Sequence, residues 1–424
     1  MTIQSLAHRK ICILGFGREG RAMAEALEKE APGCGITVAD QSETIEVPPK
    51  YKTQTGGDWL LDLQRFDVLI KSPGIPPLPA FTPVADKLTT STQIFLETVK
   101  ASGALVIGVT GSKGKSTTSA LLYAILKAAG KNVHLVGNIG EPAMKHLGDA
   151  KPDAIFVMEM SSYQLMDLTV SPDIAVVTSF FPEHLDYHGS LEAYLDAKKS
   201  ITRFQPESGV VFYHEAFEEA REIAMLSKAK KIGFSGKDAG VKSSEILLKG
   251  AHNLGNIAGA LAVALHLKID EEVALDAIRT FKGLPHRLET VAVKDGIEWV
   301  NDSISTTPET AVAALNALGD GVSTVIVGGQ DRGYDFSLLA KRLLTSNVKT
   351  VILLPDSGFV IGKEIERAGV PVLLTEAKDM NDAVALAKSH TEKGIVLLSP
   401  ASPSYGHFRN FEDRGEQFRT LAKA

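Results

Sequence analysis

Ala104-Leu-Val-Ile-Gly-Val-Thr-Gly-Ser-Lys-Gly-Lys-Ser-Thr117 decides how the rest of the chain is read. An apolar run of strand length breaks into a loop of glycine, serine and lysine, and helical periodicity follows over Ser116–Ala129. Strand, glycine loop, helix is one βα unit. The same alternation recurs outward in both directions. Strands are expected at Lys10–Leu14, Ile36–Asp40, Asp67–Lys71, Ala104–Val109, Ala154–Glu159, Ile174–Thr178, Gly209–Tyr213, Ser323–Val327, Lys349–Leu354, Val370–Leu374 and Gly394–Leu398. Most are unbroken Val/Ile/Leu runs, as in strands covered on both faces. Helices are expected between them, for example at Arg21–Glu30, Asn256–Leu267, Glu271–Phe281 and Thr310–Leu318. The pattern predicts an α/β protein with mostly parallel sheets.

The chain has 424 residues, which at roughly 150 per domain suggests three. Two breaks in the pattern, the Pro/Gly-rich Ser72–Pro79 and Gly283-Leu-Pro-His286, place them at 1–93, 94–284 and 285–424. The expected arrangement is a Rossmann-like N-terminal domain, a central P-loop-type ATPase domain and a Rossmann-like C-terminal domain. A net charge of −6 gives no global field for nucleic acid or an anionic membrane. Two cysteines, Cys12 and Cys34, are too few for a disulfide framework and fit a reducing cytosol. No stretch approaches the ~18 consecutive apolar residues of a membrane span, and Ile11–Leu14 is too short for a signal sequence. A cytoplasmic, monomeric, multidomain enzyme is expected.

Three glycine-rich segments compete for phosphate. Gly15-Phe-Gly-Arg-Glu-Gly20 follows a strand and opens a helix, and Asp40 ends the next strand. Backbone N–H groups and a helix N-terminus would face a pyrophosphate, with the acid on a ribose hydroxyl. Alone it fits NAD, another nucleotide diphosphate, or a bare tight turn. Thr110–Thr117 is close to a P-loop without the literal pattern. Gly111 and Gly114 let the amides curl around phosphate, Lys115 reaches the β/γ-phosphates, and Ser116 offers a hydroxyl to Mg²⁺. Val327-Gly-Gly-Gln-Asp-Arg-Gly-Tyr334 is either a turn ending a strand or a contact through Asp331 and Arg332. An NAD enzyme rarely needs an ATP loop. A ligase that carries one substrate on a nucleotide handle and activates it with ATP needs the first two.

Several side chains could do chemistry. Glu159 ends a strand beside the P-loop, where an acid can hold Mg²⁺. His184, in Phe181-Pro-Glu-His-Leu-Asp-Tyr-His188, lies past a strand end, a place for a ligand or proton carrier. Asn253 and Asn256 either cap a helix or read a nucleotide. Arg287, after a proline, could clamp phosphate. By spacing, Lys198 is an ordinary solvated helix lysine.

Taken together these motifs resemble the Mur ligase family. The resemblance rests on the Gly15–Gly20 loop, Ser72-Pro-Gly-Ile75, Thr110–Thr117, Gly137-Asn-Ile-Gly140, Glu159-Met-Ser-Ser-Tyr-Gln164, the His184 loop, Asp196-Ala-Lys198, His252-Asn253 with Asn256, Gly283-Leu-Pro-His-Arg287, Asn301-Asp-Ser303 and Leu398–Ser404, in family order. It implies an ATP-dependent ligase of peptidoglycan precursor synthesis. Such an enzyme joins glutamate, D-glutamate in the first instance, to UDP-N-acetylmuramoyl-L-alanine through an acyl phosphate. The implied UDP-substrate residues are Gly15, Phe16, Gly17, Arg18, Asp40, Gln41, Ser72, Gly74, Asn138, Ser161 and Gln164. ATP would lie on Gly111, Ser112, Lys113, Gly114, Lys115, Ser116, Thr117, Asn253, Asn256, Arg287 and Asp302. Two Mg²⁺ would be held, one by Ser116 and Glu159, one by His184 and a carbamylated Lys198. Lys115, His184 and Lys198 would be catalytic, and Thr306, Arg332, Ser404 and Phe411 would take glutamate.

Two positions depart from the family pattern. Ile304 and Arg332 stand where family members carry lysines. A guanidinium is a planar fork rather than a point charge, so the incoming carboxylates can bind in a different pose. L-glutamate is therefore the alternative substrate. A NAD-dependent oxidoreductase and a non-catalytic P-loop module are the competing classes.

Overall fold

In the computed structural model, which describes residues 1–424, the chain forms an α/β fold with three sheets. The first sheet runs, in spatial order, Lys52–Thr55, Gly35–Asp40, Lys10–Leu14, Val68–Lys71 and Leu88–Thr90, all parallel. The second runs Lys230–Phe234, Val210–His214, Ile174–Val177, Leu105–Thr110, Ala154–Glu159 and Asn132–Gly137, also all parallel. The third runs Glu289–Lys294, Ile297–Asn301, Gly394–Leu398, Val322–Gly329, Thr350–Asp356 and Leu373–Glu376. Only its first pair, a hairpin, is antiparallel.

The chain packs as two compact units. Residues 1–245 and 252–280 make one; 246–251 and 281–424 make the other. In the first unit one apolar cluster runs from Ile3 and Leu6 through Ile11, Ile13 and Ile70 to Val106, Phe156 and Val177, so both sheets share it. Cys12 and Leu14 point to a second cluster with Leu63, Leu69 and Phe81. Alternate residues of one strand thus serve opposite faces, which is why these strands read as continuous apolar runs. The second unit repeats the device. Val325 and Val327 pack on one side with Val351 and Leu397, and Ile326 packs on the other with Ile352 and Leu398.

Several expected boundaries moved, two of them for identifiable reasons. The strand placed at Val370–Leu374 begins at Leu373, because Pro371 has no N–H for the ladder. The strand placed at Ser323–Val327 runs through Gly328 and Gly329, with φ +118° and +150°. A Cβ on Gly329 would lie 2.2 Å from the Pro403 carbonyl oxygen, so only glycine continues the strand there. The helix placed at Arg21–Glu30 starts at Arg18.

Gly20, one turn into that helix, allows a close approach to the preceding loop. A Cβ there would sit 2.1 Å from the Gly15 carbonyl oxygen. Gly20→Ala is expected to destabilise the first unit by about 1–3 kcal/mol, read as a lowered midpoint of urea unfolding.

Candidate functional site

In a parallel sheet, ligands collect beyond the C-terminal strand ends, where the chain order reverses. In the second sheet this point lies at Leu105–Thr110, the first strand in sequence, flanked by Ala154–Glu159 and Ile174–Val177. Register brings the ends level. Val109 pairs with Glu159, Thr110 with Val177, and Gly137 with Glu159. Three expected functional segments, the Gly111 loop, Glu159 and Asn138, therefore emerge side by side.

The loop is braced from the neighbouring strand end. Ser112 N–H donates to the Ser179 carbonyl (3.0 Å) and Lys113 N–H to Ser179 Oγ (2.8 Å). Thr178 Oγ1 and Ser179 Oγ donate to the Lys113 carbonyl at 2.7 and 2.8 Å. Ser112 Oγ receives the Phe181 N–H and lies 2.9 Å from Tyr194 Oη. Gly111 has φ +147°, and a Cβ there would meet Thr178 Oγ1 at 2.2 Å; one on Gly114 would meet Asn256 Oδ1 at 2.2 Å. Ser116 and Thr117 follow, buried in the first turn of the helix Lys115–Ala128.

The carbonyl of Gly111 accepts from two ammonium groups, Lys115 Nζ at 3.0 Å and Lys198 Nζ at 2.8 Å. Lys198 is 1% exposed. Burial, then the charge on Lys115, hold its pKa well below the usual lysine range. Its Nζ lies 4.7 Å from the centre of the Tyr194 ring, one helical turn earlier. Tyr194 was not singled out in the sequence; its spacing of four from Lys198 was the available signal. His184 has a left-handed backbone, φ +57°. Burial first, with Lys115 and Lys198 adding, holds its pKa below the histidine value. The imidazole is thus neutral near pH 7, with a lone pair to offer.

Glu159 fits a cation. Its Oε1 accepts from Asn138 Nδ2 at 3.0 Å, while its Oε2 is buried with no hydrogen-bond partner. A buried, unpartnered carboxylate oxygen beside the Ser116 turn suits a hard divalent ion. Asn253 and Asn256 are buried at the start of the helix Asn253–His266, with Asn256 Nδ2 donating to Asn253 Oδ1 (2.8 Å). Ser161 and Gln164 form a reciprocal capping box at the helix Ser162–Leu165. That local role occupies both side chains.

The first glycine loop is held by Asp40. Its two carboxylate oxygens accept the N–H groups of Phe16 (2.8 Å) and Ser42 (2.9 Å). Ser72 Oγ donates to the Gly15 carbonyl at 3.0 Å. Phe16 is 1% exposed and packs edge-on against Tyr51, so its ring belongs to the core. Gly17, Arg18, Gln41 and Gly74 are exposed. Arg18 donates to the Gly140 carbonyl (3.0 Å), linking this loop to the Asn138 turn.

In the second unit, Asp302 is fully buried. It accepts from Ser305 Oγ (2.5 Å), Ser399 Oγ (2.9 Å) and Leu288 N–H (3.1 Å). Burial outweighs these bonds and pushes its pKa up to about 6. Arg287 Nε is buried without a hydrogen-bond partner. Thr306, Arg332, Ser404 and Phe411 come from four separate segments. Gln330 N–H donates to the Pro403 carbonyl (2.8 Å), joining the Arg332 and Ser404 segments. Ser303 Oγ donates to the Phe411 carbonyl (2.8 Å).

Arg414 ties all four together, and sequence reasoning missed it. Its guanidinium, 0% exposed, donates to Ser303 Oγ (3.0 Å), the Ser303 carbonyl (2.9 Å), the Ser402 carbonyl (3.0 Å) and, more weakly, the Gly328 carbonyl (3.4 Å). Burial lowers its pKa to about 9. No carboxylate is among these partners, so a positive charge sits uncompensated beneath the segments.

Two family models match: the Mur ligase middle domain over residues 109–246 and the Mur ligase glutamate ligase domain over 286–402. The chain belongs to the Mur ligase family. It is 36% identical to a UDP-N-acetylmuramoyl-L-alanine–L-glutamate ligase of Salinispora tropica, over 99% of this chain and 98% of that one. It is 35% identical to a UDP-N-acetylmuramoylalanine–D-glutamate ligase of Symbiobacterium thermophilum, over 98% of each. Among solved structures, a MurF ligase from Thermotoga maritima in complex with ADP superposes with TM-score 0.61 at 17% identity, covering 100% of this chain and 97% of that one. At that identity the likeness shows the fold.

Asp302 gives this Mur ligase a testable pH signature. Its carboxyl pKa is 3.8 ordinarily and about 6 when folded. The folded state holds the proton more tightly, so this contribution to stability is full below pH 3.8 and is lost as pH rises through 6. Asp302→Asn cannot ionise. Relative to wild type, its stability is expected to improve by up to about 3 kcal/mol between pH 4 and pH 7, measured by urea unfolding across that range.

Proposed function

We propose that this chain joins glutamate to the alanine carboxylate of UDP-N-acetylmuramoyl-L-alanine, using ATP. One observation carries the reading: two lysines converge on the Gly111 carbonyl beside a buried, unpartnered oxygen of Glu159, at the level ends of adjacent strands. The ammonium of Lys115 and a metal-ready acid suit the charge that a transferring phosphate would develop there. Both relatives named above are glutamate-adding ligases along their whole length. No comparison supports a NAD-dependent oxidoreductase.

The roles follow from position. The loop amides and Lys115 hold the transferring phosphate while the alanine carboxylate attacks it, giving an acyl phosphate and ADP. The glutamate amine then attacks the acyl carbon and expels phosphate. Mg²⁺, when bound, neutralises charge on the phosphate oxygens. Ser116 and Glu159 would hold one ion, His184 and Lys198 a second. Lys198 suits a carbamate, because a neutral amine is the form that adds CO₂, releasing one proton. Asn253, Asn256, Arg287 and Asp302 are assigned to ATP. The Gly15 loop, Arg18, Asp40, Gln41, Ser72, Gly74 and Asn138 are assigned to the UDP-substrate. For Phe16, Ser161 and Gln164 the assignment passes to the backbone, since their side chains are occupied. Thr306, Arg332, Ser404 and Phe411 are assigned to glutamate. We divide the work among three domains, 1–93, 94–284 and 285–424, in a cytoplasmic enzyme whose cysteines are both free.

D-glutamate is the first assignment. L-glutamate is the second reading, favoured by Ile304 and Arg332 and by the Salinispora tropica relative named for L-glutamate. Phosphate release with ATP, the UDP-substrate and each enantiomer in turn separates them. Turnover with L-glutamate alone overturns the first assignment and leaves the ligase reading standing. Lys115→Ala is expected to cut ADP formation by about 10³-fold or more. Turnover near wild type in that variant would overturn the ligase reading.

A further inference from the structure

The strand Asn132–Gly137 forms an edge of the second sheet. The Asn138 turn follows it, and then a 3₁₀ segment, Ala143–Asp149. Across this turn His134, His146 and Asp149 bring one ligand-type atom each within 4.8 Å of one another. Asp149 Oδ2 lies 3.1 Å from His146 Nδ1 and 3.8 Å from His134 Nδ1. The second distance is too long for a good hydrogen bond.

The two rings are also held for the purpose. His134 stacks on Phe156, with centroids 5.1 Å apart and planes within 22°. Its Nε2 is buried and unpartnered, so Nδ1 is the nitrogen that reaches outward. His146 Nε2 lies 3.0 Å from Glu141 Oε2. A carboxylate on the far nitrogen is the arrangement that fixes the tautomer and orientation of a metal-binding imidazole.

We propose that His134, His146 and Asp149 bind a divalent transition ion of the zinc type, with Glu141 orienting His146. Four-coordinate zinc with bonds near 2.0–2.2 Å needs ligand atoms roughly 3.3 Å apart, so the site closes with small side-chain movements. Two nitrogens and one carboxylate oxygen favour zinc over Mg²⁺, which selects oxygen. The simpler alternative is a charged His146 bridging Asp149 and Glu141 with no metal. That network leaves His134, turned toward the same Asp149 oxygen, without a part. A bound ion would join the strand before the Asn138 turn to the segment after it. The turn that holds Asn138 against Glu159 would then be clamped.

The test uses the full-length, metal-stripped protein without nucleotide, titrated with Zn²⁺ against a chromophoric chelator. One ion per chain is expected at micromolar affinity or tighter, with a raised melting temperature. His134→Ala and His146→Ala should each weaken binding at least 10-fold, and Glu141→Gln about 10-fold. Binding should survive His184→Ala, which separates this site from the proposed Mg²⁺ ligands. His146→Gln keeps a polar side chain and serves if the alanine variants fail to fold. Unchanged binding in both histidine variants overturns the proposal. So does stoichiometric binding lost only in His184→Ala, or no binding at equimolar ion.

Discussion

The first unit turns on a single carbonyl. Gly111 presents its oxygen to Lys115 and Lys198 together, and a carbonyl has two lone pairs to give. Two ammonium groups that share an acceptor repel, and one of them is 1% exposed. Removing an ammonium from water costs several kcal/mol, so the arrangement drives Lys198 toward its neutral form. The surroundings are built to hold this. Gly111 takes a φ open only to glycine, Thr178 and Ser179 pin the Lys113 carbonyl, and Tyr194 reaches both Ser112 and Lys198. A side chain at Gly111 would collide with the brace itself. The loop's shape, the depressed lysine and the strand register are consequences of one packing solution.

Much of this was legible because the chemistry lies on buried parallel strands. Such strands advertise themselves as apolar runs, and their last residues mark the site. Lys10–Leu14, Ala154–Glu159 and Gly394–Leu398 are read at their true bounds. What was not legible is mostly edge. Lys52–Thr55, Leu88–Thr90, Asn132–Gly137, Lys230–Phe234 and Glu289–Lys294 all lie at sheet margins, exposed on one side and free to carry polar residues. The second gap concerns cations on helices. Lys198 and Arg414 have the spacing of solvated residues, yet both are buried by contacts from distant segments. No local pattern announces a partner 87 or 111 residues away. For Lys198 the family resemblance supplied what periodicity could not; for Arg414 nothing did.

Arg414 also recasts the net charge. A chain at −6 has no general attraction for anions. It holds instead a buried guanidinium, Arg414, whose partners are carbonyls and a hydroxyl rather than carboxylates. Its charge, held with a pKa of about 9, raises the local potential without being neutralised. The exposed Arg332 lies on a segment that Arg414 helps to hold.

The same logic bears on the two departures from the family pattern. Ile304 sits between Ser303, which bonds Arg414 through its carbonyl and hydroxyl, and Ser305, which bonds Asp302. The backbone of this segment is therefore fixed from both sides. An isoleucine in place of a lysine removes a charge here without freeing the chain to move. Arg332, the exposed cation assigned above to glutamate, sits on a long stem whose Nε donates to Gln330 Oε1. A planar fork engages a carboxylate along two parallel bonds and so dictates its plane. On the proposed assignment of Arg332 to glutamate, such a fork would set the plane of the bound carboxylate against this fixed backbone, where a point charge would tolerate more poses.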